Sequence, residues 1–148
     1  MFKPLNRSDV TDSLDVNSAV TTDYVGGSPL AIGSGGIHGT LVDAGYAGPA
    51  MNRRAVDIAN GKAAVAVGPI KGEIWQGQGG DVDTDDDNFC PFDITVAWEI
   101  GDELYIRSMA TYAVWSSVNY DGGVSHGFVT VAPASATGKM QAWFLERR

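Results

Sequence analysis

The sequence predicts an all-β fold: a small antiparallel barrel or sandwich of short strands, preceded by an extended N-terminal arm. Three observations carry that expectation. Nineteen of the 148 residues are glycine, which supplies the positive φ that tight turns require. Leu, Lys and Glu are scarce beside Val, Ala, Thr and Ser, a bias toward the pleat rather than the helix. Short apolar–polar alternations are separated by turn dipeptides, the pattern of many short strands. The chain divides into an arm, 1–24, and one β-rich domain, 25–148, without an internal repeat or an interior linker.

The arm is polar, with Leu5, Val10, Leu14, Val16 and Val20 scattered among Asn, Ser, Thr and Asp. Their spacing suits a segment that becomes ordered on a neighbouring surface, since termini are poorly ordered unless tied down. Residues 25–50, VGGSPLAIGSGGIHGTLVDAGYAGPA, read as turns and short edge strands. A phosphate loop is excluded there: His38 stands where G-x-G-x-x-G needs glycine, and no Lys-Ser or Lys-Thr follows.

From residue 54 the pattern sharpens. RAVDIANGKAAVAVG places Asn60–Gly61 between two runs, which predicts a hairpin. GEIWQG predicts a short strand. FDITVAWEIGDELYIRSM puts Ile94, Val96, Trp98 and Ile100 on one strand face and Asp93, Thr95, Ala97 and Glu99 on the other. Gly101–Asp102 then turns the chain, and Leu104 and Ile106 continue the apolar face. A third hairpin, TYAVWSSVNY–DGG–VSHGFVTVA, has Asp121–Gly122 at its tip. Its first strand carries bulk on both sides, so it is covered either by the N-terminal segment or by another subunit. KMQAWFLERR ends the chain with an apolar run that predicts a docked C-terminus.

Charge narrows the function. The net charge is −8, and five of the 18 acidic residues fall within residues 81–87. Nucleic-acid binding needs Lys and Arg to replace phosphate counterions, and the pairs Arg53–Arg54 and Arg147–Arg148 do not reverse the balance. The start, MFKPLNRSDVTDSLD, lacks the apolar core of a signal peptide, and no run is long enough to span a bilayer. The expectation is a soluble protein made in a cytoplasm. With one cysteine, no intrachain disulfide can form.

GGDVDTDDDNFCPFD is the stretch that most resembles chemistry. Asp81, Asp83, Asp85 and Asp87 repeat at every second position, as the opening ligands of a calcium loop do. That loop also needs glycine at its sixth place and glutamate at its twelfth, where Asp86 and Phe92 stand. The run reads first as a solvated loop, next as a charged patch for a basic partner, and last as a loose calcium site. No cofactor is expected.

Cys90 has only His38 and His126 as conceivable activating bases, and nothing in the spacing pairs them with it. G-x-S-x-G is absent. Glu99, Asp102 and Glu103 surround one turn, where acids solvate the chain rather than face each other across a sugar. No catalytic constellation emerges, so the chain is read as a non-enzyme.

The polar arm, the opening DYVGGSPLAIGSGGIHGTLVDAGYAGPA, and compact segments such as AVDIANGKAAVAVGPIKGEI resemble the capsid decoration, or cement, proteins of tailed bacteriophages. The resemblance implies a β-rich homotrimer on the capsid surface of the virion, assembled in the host cytoplasm, with the arm laid along the major capsid protein. It implies neither nucleic-acid nor membrane contact. On that reading Phe2, Leu5, Val10 and Leu14 are capsid-facing anchors, and Tyr112 and Trp115 lie at the contact between protomers. The alternative is a carbohydrate-binding β-module of a tail or adhesin, using exposed aromatics and an acidic loop with calcium.

Overall fold

The computed structural model describes residues 3–4, 11–14, 24, 26–33, 36–38, 46–51, 54–66, 74–78, 92–93, 95–108, 113–132 and 139–144. These residues are mostly strand, in short antiparallel pairs with little helix, as the composition predicts. In chain order they form β1 (Lys3–Pro4), β2 (Thr11–Leu14), β3 (Pro29–Gly33), β4 (Gly36–His38) and β5 (Tyr46–Pro49). Helix α1 (Arg54–Asn60) follows, then β6 (Ala63–Ala66), β7 (Ile74–Gln78) and β8 (Tyr105–Ser108). The last three are β9 (Ala113–Ser116), β10 (Gly127–Val131) and β11 (Lys139–Phe144).

The largest sheet has the order β1-β7-β11-β10. Strands β4-β3-β5 form a second sheet, and β2-β6 and β8-β9 are two-stranded. No ladder closes into a barrel among the described residues.

Backbone bonds beyond the ladders join β10 and the residue before it to the segment that precedes β8. Leu104 N–H donates to Gly127 O, His126 N–H to Leu104 O, and Val129 N–H to Asp102 O. Residues 101–104 therefore run along the outer edge of β10 and lead directly into β8. On the far side of β9, Phe92 bridges to Trp115 and Asp93 N–H donates to Trp115 O at 2.8 Å. This connected stretch closes the backbone hydrogen bonds that strand edges would otherwise expose.

The core lies on its inner side. Leu104, Trp115, Val129, Met140, Ala142 and Phe144 are all fully buried. Burying each larger apolar side chain contributes about 1.5–3 kcal/mol. Met140, Ala142 and Phe144 alternate along β11, which runs between β7 and β10. The apolar C-terminal run is thus docked, as expected. Leu104 and Ile106 also face inward as the sequence predicts.

Three expectations change. The first is the hairpin at Asn60–Gly61, where the structure has a helix ending at Asn60. Gly61 has φ +76°, its N–H donates to Ile58 O, and Lys62 N–H donates to Asp57 O. That is a Schellman ending, in which glycine in the left-handed conformation lets two terminal carbonyls find donors. The second is the strand over 94–100. Residues 95–100 hold no strand, and Ile100 stands 74% exposed rather than on an apolar face.

The third is the β9–β10 hairpin. Gly122 does take a positive φ of 72°, but β9 pairs with β8 and β10 pairs with β11. The Asp121 carboxylate instead accepts from Ser108 N–H at 2.7 Å, fastening the intervening loop to β8.

The two strands of the arm are paired within the chain. β1 lies antiparallel to β7, and β2 lies antiparallel to β6. No helix among the described residues is long and apolar enough to cross a membrane.

Candidate functional site

Asp93 organises the most connected polar cluster among the described residues. Oδ1 accepts from the Thr95 backbone N–H at 2.9 Å and from Thr95 Oγ1 at 2.6 Å. Oδ2 accepts from Arg107 Nη1 at 2.9 Å and from Ser116 Oγ at 2.8 Å. Its carbonyl accepts from Trp98 Nε1 at 3.0 Å. The Asp-x-Thr spacing lets one carboxylate bond both the backbone and the hydroxyl two residues on, which turns the chain. That turn is why 94–100 does not continue as a strand.

The side chains of Asp93 and Arg107 are 2% and 24% exposed. Burial pushes the Asp93 carboxyl up, but the bonds from Thr95, Ser116 and Arg107 outweigh it and hold the group below its ordinary value. Arg107 also lies over the Tyr120 ring, 4.1 Å from its centroid. The cluster joins the 92–98 turn, β8, β9 and the 117–125 loop. Every bond the carboxylate makes is to a group of the fold, so its chemistry is that of a structural tie.

A second arrangement faces outward. On the β10–β11 ladder Phe128 sits opposite Trp143, with ring centroids 5.3 Å apart and planes at 59°. Trp143 is 42% exposed and Val131 38% exposed. Glu103 bridges to Phe128 from the other side, and its carboxylate accepts from Tyr105 OH at 2.5 Å. That bond raises the Tyr105 phenol above its ordinary value. Nearby, Asp102 Oδ2 accepts from Glu99 N–H at 2.7 Å. The outer side of an antiparallel sheet is ordinarily polar. Here it carries an aromatic pair beside an acidic turn.

The residues singled out from sequence fall as follows. Trp115, expected between protomers, is fully buried within its own chain. Its Nε1–H donates to Gly27 O at 2.9 Å, and its ring meets Tyr46, His126 and Phe144. The two-sided strand is covered by the chain's own N-terminal half, so Trp115 has no surface to offer a second copy. Leu14 ends β2, in register with Ala63. Phe2, Leu5, Val10 and Tyr112 lie outside the described residues, as do Asp81, Asp83, Asp85, Asp87 and Cys90.

His38 is in β4, opposite Ala31, while His126 packs against Tyr46 and Trp115. Among the described residues no group of His, Cys, Asp and Glu is placed to hold a metal ion. Glu99, Asp102 and Glu103 bond within their own turn and to Tyr105, as the solvating reading of that turn expects.

Sequence reasoning did not identify the Asp93 tie, whose members span 23 positions, although Asp93-x-Thr95 was a local signal for its turn. Nor did it identify the Phe128–Trp143 pair, which depends on the register of β10 against β11. No protein family, curated protein or solved structure matches the chain.

Proposed function

We propose that this chain is a virion structural protein that decorates and cements the outer surface of a phage capsid. It would act as a small barrel-like or sandwich-like β-domain, with its N-terminal arm bonded to the major capsid protein. The observation that carries the reading is the use of Lys3–Pro4 and Thr11–Leu14 as added strands. β1 and β2 join β7 and β6 through backbone hydrogen bonds, with few demands on side chains. The same pairing is how an extended segment adds to the edge of a neighbouring protein. An arm that pairs in its own chain before assembly can exchange those partners for equivalent ones on a shell.

Cementing in this way requires no reactive group. Each contact is weak, and repetition around a closed shell multiplies them into avidity. The homotrimer implied by the phage resemblance would supply three arms to one site. Trp115 belongs to the core of its own chain, so the protomer contact in such a trimer has to use other residues.

Deleting residues 1–22 and mixing the product with capsids of the phage that carries the gene tests the reading. The expected result is loss of capsid binding and of the added heat resistance, with the shortened protein still folded. Unchanged binding and protection would sink it. Mass measurement of the intact protein in solution checks the trimer, and a monomer at every concentration removes it.

A further inference from the structure

We infer that the outer face of the β10–β11 ladder, together with the 99–103 turn, docks a basic protein segment carrying an apolar or aromatic anchor. Along β11, Met140, Ala142 and Phe144 turn inward, and Gln141 and Trp143 belong to the other face. Polar residues are expected on that open face, yet Trp143 is 42% exposed with Phe128 beside it. Val131 follows past a register shift in β10. Gly101 N–H donates to Val129 O, which brings the 74% exposed Ile100 to the same strand. Clustered exposed apolar side chains mark interaction surfaces, and tryptophan is the residue most enriched at their energetic centres.

Charge decides what covers it. Glu99, Asp102 and Glu103 lie within five positions beside the aromatic pair. Two of them are fixed by bonds, Asp102 to Glu99 N–H and Glu103 to Tyr105 OH. An apolar row bordered by ordered carboxylates complements lysine or arginine flanking an apolar side chain. A second copy of this chain is the wrong occupant, because its net charge is −8 and its own turn would meet like charge with like. A sugar is also disfavoured. The two rings are inclined at 59° and do not make the flat shelf on which a pyranose stacks. The assignment is independent of the capsid reading, since it specifies the chemistry of the partner surface and not the partner.

The test uses the full chain and two short synthetic peptides with the same apolar residues, one bearing lysines and the other glutamates. Affinity is measured by titration, and a zero-length carbodiimide reagent joins lysine amines to carboxylates for mapping by mass spectrometry. The expected result is saturable binding of the lysine peptide only, with cross-links at Glu99 and Glu103.

Trp143→Ala should weaken that binding about tenfold, as loss of a central anchor does. Glu99→Gln with Glu103→Gln should also weaken it and, being isosteric changes at exposed positions, keeps the fold as a check on the first variant. Neutralising Asp81, Asp83 and Asp85 should leave it largely intact. Binding that ignores Trp143 and follows the 81–87 acids overturns the inference. So does equal binding of the glutamate peptide, absence of lysine-peptide binding, or capture of a glycan through Trp143 on an array.

Discussion

Asp93 joins the turn at Thr95, β8 and β9 through one carboxylate, and its ionisation ties stability to pH. The folded group titrates below its ordinary value, because the bonds from Thr95, Ser116 and Arg107 outweigh its burial. Its contribution is therefore fully present above that value and is lost as pH falls through the folded one. Asp93→Asn should cost about 2–3 kcal/mol at neutral pH, in the range of hydrogen bonds to a charged group. In urea melts between neutral pH and strong acid, the gap between wild type and variant should close on the acid side. A gap independent of pH would mean that the Asp93 charge is not what holds the turn.

Gly127 is constrained by space rather than by φ. A Cβ there would lie 2.4 Å from the carbonyl oxygen of Trp143, a backbone atom that cannot move aside without opening the β10–β11 ladder. Gly127→Ala should cost about 1–3 kcal/mol, as overpacking does, measured by thermal melting. If it melts like wild type, the close approach of the two strands is not as described.

At the scale of elements, the sequence was informative wherever a pattern has one physical solution. Leu104 and Ile106 alternate into the core, GEIWQG overlaps β7, and the apolar C-terminal run contains β11. It misled where one signal serves two structures. Asn-Gly supplies positive φ to a hairpin turn and to a helix end alike, and RAVDIAN is too short for its period to decide. What decides is tertiary: Asp57 is buried and accepts from Tyr24 OH at 2.6 Å, which anchors the helix to the segment before β3.

The 94–100 alternation failed for a related reason. Side chain–backbone bonds at Asp93, Trp98 and Asp102 turn the chain against its strand pattern. Neither candidate site was legible, because each depends on residues brought together by strand register. Gly61→Ala puts the helix ending to the test. With φ +76° and nothing near the added Cβ, the change removes no contact and isolates backbone strain. The expected loss is about 1–2 kcal/mol. A neutral result would mean that Gly61 does not hold the left-handed conformation that ends the helix.

For the molecule as a whole, stability should be graded from β11 outward. β11 is bonded on both edges, by β7 and by β10, and its inward side chains are fully buried. Trp115 extends that core to the N-terminal half through Gly27 and Tyr46. By contrast, β2 and β6 form a two-stranded ladder, and β1 contributes two residues to the edge of β7. Amides that open only with the core exchange at the global rate, and those in two-stranded ladders open locally. Hydrogen exchange on the native protein should therefore leave the amides of Ala142 and Phe144 among the last to exchange and those of Ala63–Ala66 well ahead of them. This ordering bears directly on the arm. A segment that must leave its own chain to pair with a shell has to be held more weakly than the domain it serves. Equal protection of β6 and β11 would make β2 an integral part of the core, and an arm so held could not be exchanged.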